Sequence, residues 1–117
     1  FKYILFVSED EFEPIARMCA RKVVETFENV GSHAEPFSDA VHGFFVQPNK
    51  YRLLFCINQK CEVKGEKYEL FINSHLGALL SAYYIIGKNQ TKKDSMNILK
   101  KYKEIVKKQK WELKGIV

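Results

Sequence analysis

The chain predicts an α+β fold: one domain in which a mainly antiparallel sheet of four or five strands packs with three helices. Three observations carry that expectation. Runs of aromatic and β-branched residues recur at 2–8, 41–46, 51–58 and 68–72, the residue types that suit a pleated, half-buried surface. Residues 12–30 place apolar side chains at the three-and-four spacing of one helical face. Two further helical patterns, at 75–86 and 94–110, complete the order β-α-β-β-β-α-α. A chain of 117 residues, 46% hydrophobic and 28% charged, is long enough to bury a core without disulfides or metals. No repeat, low-complexity tract or linker divides it, so 1–117 reads as a single domain.

Taken in order, the first strand is apolar from Tyr3 to Val7, which suits a strand covered on both faces and placed inside the sheet. Glu9, Asp10, Glu11 and Glu13 follow, charges that favour the positive end of a helix dipole. Pro14 fits a first helical turn. The helix at 12–30 buries Phe12, Ile15, Ala16, Cys19, Ala20, Val23, Val24 and Phe27, with Gly31 as its stop. Residues 32–39 read as loop, broken by Pro36. The runs at 41–46 and 51–58 flank a turn at 47–50, and 68–72 follows a turn at 64–66. Short polar turns between consecutive strands imply an antiparallel meander.

The helix at 76–86 has Asn73 or Ser74 as its cap and Gly87 as its end. It is apolar all round, which predicts burial on more than one side. Its rival reading is a homodimer face. In the last helix, 94–110, Asp94 or Ser95 caps the start, and Ile98, Leu99, Tyr102, Ile105 and Val106 gather on one side to bind the body. Lys100, Lys101, Lys103, Lys107, Lys108 and Lys110 line the other. Trp111 and Leu113 fall in a tail that reads as a C-terminal strand.

Charge is the sharpest functional signal. Residues 88–117 hold ten lysines against Asp94, Glu104 and Glu112, whereas 1–87 hold nine Lys or Arg against eleven Asp or Glu. One basic segment therefore sits on a faintly acidic body, an arrangement that attracts an acidic partner or nucleic acid. No arginine occurs in 88–117, which disfavours the bidentate contacts of base reading.

Other chemistry finds no complete constellation. Cys19, Cys56 and Cys61 are odd in number and point to a reducing, cytoplasmic-type compartment. One loose cysteine pair and scattered His33, His42 and His75 do not make a zinc set. No glycine-rich phosphate loop is present, so no cofactor is expected. The longest apolar stretch, eleven residues at 76–86, is far below the roughly 20 that cross a bilayer.

The leading expectation is a non-catalytic protein-binding module, an adaptor, inhibitor or neutralising partner. It would dock an acidic surface through Lys100, Lys101, Lys103, Lys107, Lys108, Lys110 and Trp111. The alternative is backbone-directed nucleic-acid binding through the same lysines. A third reading is a small enzyme built on His33, Asp39, His42 or His75.

Overall fold

The computed structural model describes residues 3–43, 52–63 and 65–109, with the side chains of Arg52 and Gln109 left aside. The elements run β1 (Tyr3–Ser8), a single 3-10 turn (Asp10–Phe12), α1 (Glu13–Thr26), β2 (Gly31–Pro36), α2 (Phe37–Ala40), β3 (Arg52–Ile57), β4 (Lys67–Leu70), α3 (His75–Lys88) and α4 (Lys92–Gln109). Four strands form one sheet in the order β2-β1-β3-β4.

Every pairing in that sheet is parallel. This overturns the antiparallel meander, and two local causes account for it. Residues 31–36, read as loop, form β2 and pair with β1 from Tyr3↔Gly31 to Ser8↔Pro36. The chain therefore makes a β1-α1-β2 crossover before it reaches β3. The segment between β3 and β4 is also a crossover and not a hairpin. Asn58 leaves β3 with a left-handed φ of 50°, and Cys61 is buried with Leu5, Val7, Leu54 and Cys56 on one sheet face. The chain thus passes across that face before β4 begins in the same direction as β3.

The expected strand at 41–46 also fails where it can be seen. Phe37 to Ala40 form α2, and Val41, His42 and Gly43 continue it as a turn through amide bonds to Phe37, Asp39 and Ala40 carbonyls. Residues 44–46, the turn at 47–50, Tyr51, Lys64, Lys110, Trp111 and the tail strand lie outside the described residues.

Parallel strands need both faces covered, and β1 supplies side chains to both. Phe6 faces a core made with Phe12, Ala16, Cys19 and Val23 of the α1 region and Ala78, Ala82 and Ile86 of α3. Leu5 and Val7 face the other layer, with Ala40 of α2, Leu54, Cys56 and Cys61. Phe6, Phe55 and Tyr68 stand side by side in register, with ring centroids 4.9 and 5.1 Å apart. The expectation that the first strand lies inside the sheet holds.

α1 ends at Thr26, earlier than the expected 30. Asn29, with φ 59°, makes the left-handed turn, and Gly31 opens β2 instead of stopping the helix. Asn58 performs a second tie. Its amide N donates to the Leu70 carbonyl (2.8 Å), and its side chain both donates to the Ile72 carbonyl (2.7 Å) and accepts from the Ile72 amide (2.8 Å).

Phe6→Ala removes a fully buried ring from the middle of this register, and should cost about 3–5 kcal/mol. Val24→Ser, on the exposed side of α1, should stay within about 0.5 kcal/mol. Urea midpoints of the two variants check the contrast.

Candidate functional site

α4 begins with a reciprocal cap. The Thr91 hydroxyl donates to Asp94 Oδ2 (2.7 Å), the Thr91 amide donates to the same oxygen (3.1 Å), and the Asp94 amide donates to Thr91 Oγ1 (3.1 Å). This is the capping-box pattern with Asp as its fourth residue. Thr91 is therefore the cap, not Asp94 or Ser95, and the helix starts two residues earlier than the expected 94.

The same carboxylate fastens the helix to the body. Asp94 Oδ1 accepts from the Glu28 amide (3.1 Å), Asn97 Nδ2 donates to Glu28 Oε2 (2.6 Å), and Lys101 Nζ lies 3.8 Å from Glu28 Oε1. Gln90 Nε2 adds a bond to the Thr26 carbonyl (3.1 Å). Asp94, Asn97 and Lys101 follow one line along the helix, at three- and four-residue steps. α4 thus meets the C-terminal end of α1 through a polar edge.

This corrects the expectation that the apolar side binds the body. Met96, Leu99, Tyr102 and Ile105 are 53–64% exposed, while Ile98 and Val106 are only half-buried. Lys100, Lys103 and Lys107 occupy a separate exposed line at the same helical steps. Lys108 is also exposed, and Lys101 is drawn toward Glu28. Lys110 and Trp111 lie outside the described residues.

α3 departs from expectation in the same direction. Ser74 caps it by accepting from the Gly77 amide (3.1 Å), and Ala78, Ala82 and Ile86 are buried against the sheet. A side chain at Gly77 would meet Ile72 Cγ2 at 3.0 Å, so glycine permits the close approach. Burial on more than one side fails: Leu76, Leu80 and Tyr84 are 59–70% exposed.

The imidazoles stay apart. His33 Nε2 is 2.6 Å from Glu35 Oε1, and both line a shallow groove of about 520 Å³ with Arg17, Arg21 and Asp39 beside α1 and β2. His42 lies in the exposed turn after α2. His75 stacks on Phe12 with centroids 4.4 Å apart, and its Nε2 lies 3.2 Å from the Glu11 carbonyl. Among the described residues, no group of three or more His, Cys, Asp or Glu is placed to hold a metal ion. Nor is any helix among them long and apolar enough to cross a membrane.

The three thiols are free and buried. Burial pushes Cys19 up to about 12. A hydrogen bond with Cys61, aided by burial, also raises the Cys56 thiol. Neither has the exposed, electropositive setting of a reactive thiolate.

What the sequence reading missed is the anchor, Glu28 with Asn97, while an open face on α3 was carried only by its rival reading as a homodimer face. The Thr91-x-x-Asp94 spacing was the available signal for the cap. No protein-family model, no curated protein and no solved structure matches this chain.

Hydrogen bonds from the Thr91 hydroxyl, the Glu28 amide and the Thr91 amide hold the Asp94 carboxyl below its ordinary value of 3.8. A depressed carboxyl stabilises the fold above its ordinary value, and that contribution disappears as pH falls through the lowered one. The Glu28 amide resonance should therefore titrate with a midpoint under 3.8, and Asp94→Asn should abolish the titration. A midpoint at or above the ordinary value contradicts the anchoring role.

Proposed function

We propose that this protein is a non-catalytic protein-binding module, an adaptor or inhibitor that docks an acidic surface of another protein through α4. The observation that carries this reading is the division of α4 into separate lines. Its anchor to the body uses Asp94, Asn97 and Lys101, which leaves Lys100, Lys103 and Lys107 exposed on another line. A surface held in place by one edge and charged along another is pre-organised for a complementary partner.

An acidic protein surface fits this line better than a phosphate backbone does. Glu104 sits within the lysine sequence, no arginine is present from 88 onward, and exposed Leu99 borders the lysines one helical turn before Lys103. Mixed charged and apolar contact is characteristic of the rim and core of protein interfaces. Backbone-directed nucleic-acid binding needs only the charge, and it leaves the neighbouring apolar side chains without a role.

The test uses the full chain titrated with poly-L-glutamate, duplex DNA and duplex RNA at low and moderate salt. The acidic polypeptide should bind more tightly than either nucleic acid. The triple variant Lys100→Glu, Lys103→Glu, Lys107→Glu should lose at least about tenfold in affinity, because like charge now faces the partner. Tighter binding to the nucleic acids, with a steep salt dependence, overturns this reading in favour of phosphate contact.

A further inference from the structure

Two apolar stripes on consecutive helices face away from the body. On α3, Leu76, Leu80 and Tyr84 succeed one another at four-residue steps; on α4, Leu99, Tyr102 and Ile105 do so at three-residue steps. All six side chains remain more than half exposed, so neither stripe covers the other within the chain. The helices are joined by only residues 89–91, and the contacts of Gln90, Asp94 and Asn97 with the end of α1 fix the direction in which α4 leaves. Folding α4 back over its own α3 would break those contacts.

We infer that a second copy of this chain covers both stripes, with α4 of each copy lying on α3 of the other. Three features of the surfaces favour this occupant. The stripes match in length: nine residues on α3 and seven on α4 rise about 12 and 9 Å along the helix. The charges also match. Lys103 borders the α4 stripe, four residues after Leu99, while Glu9, Asp10 and Glu11 lie near the start of α3, where His75 meets Glu11. Finally, a two-fold arrangement uses each contact twice and closes on itself, leaving no stripe to recruit a third copy.

The area is sufficient. The six large apolar side chains of the two stripes in each copy, at roughly 100 Å² apiece, give about 1,200 Å² over two copies, at the lower end of the ~1,200–2,000 Å² of stable interfaces. An anionic bilayer would accept the α4 stripe alone, since an interfacial helix lies in the membrane plane. It offers nothing specific to α3. The exchange leaves Lys100 and Lys107 at the outer side of each α4, so it is independent of whether an acidic partner docks there.

Light scattering on the eluting protein at high micromolar concentration should give twice the 13.7 kDa chain mass. Leu80→Glu on α3 and Leu99→Glu on α4 should each reduce it to the single-chain mass with unchanged circular dichroism. To separate the exchange from other dimers, a Leu80→Cys chain is mixed with a Leu99→Cys chain under mild oxidation. The mixed disulfide should form, and neither variant alone should cross-link. The inference is overturned by a single-chain mass for the unaltered protein, by a dimer that survives both Glu variants, or by cross-linking of the Leu80→Cys chain to itself. A single-chain species that floats with phosphatidylserine vesicles also overturns it and assigns the α4 stripe to lipid. The Lys100→Glu, Lys107→Glu double variant, changed only on the outer side of α4, should keep the double mass, so failure here is distinct from failure of the acidic-surface reading.

Discussion

The structure depends on one constraint: a central parallel strand with both faces buried must be covered by two separate layers. β1 is that strand. Its neighbours β2 and β3 run in the same direction, so each return of the chain has to cross a sheet face. α1 makes one crossing and brings Ala16, Cys19 and Val23 over Phe6. Residues 58–63 begin another, placing Cys61 over Leu5 and Val7. The buried cysteines are thereby accounted for as small apolar fillers of the layers, an ordinary use of the free thiol.

Covering β1 uses up the inner faces of α1 and α3, and α4 is left with the end of α1. There the attachment is polar and local: one carboxylate, Glu28, receives Asn97 and Lys101 while its backbone amide is bound by Asp94. A polar joint of this kind orders a helix without burying its apolar side. The price in this fold is exposed hydrophobic surface on two helices, a pattern more often associated with interaction than with an isolated monomer.

How much of this was readable from residues alone varied with what each signal encodes. Apolar runs identified β1, β3 and β4, and helical periodicity found α1, α3 and α4 within a few residues of their ends. Strand direction was misread because short polar segments resemble hairpin turns, although continuous runs such as 3–7 and 53–57 carried the opposite sign of strands buried on both faces. β2 escaped because its sequence, GSHAEP, is polar and lies at a sheet edge, where one neighbour suffices. On α4, periodicity correctly separated apolar from charged positions but could not say which side meets the body. That choice rested on Asp94 and Asn97 finding Glu28, sixty-odd positions away in the chain, and pairwise polar complementarity has no periodic signature.

The Glu28 joint has a mechanical consequence. α4 spans 18 residues, about 27 Å of helix, and its side-chain bonds to the body come from its first three turns. Beyond Lys101 only eight residues of the helix continue, an arm of about 12 Å. A rotation of about 10° at the grip carries the far end through about 2 Å over that length. A change in the hydrogen bonding of a single glutamate is therefore passed along the helix to where Lys107 and Ile105 are presented.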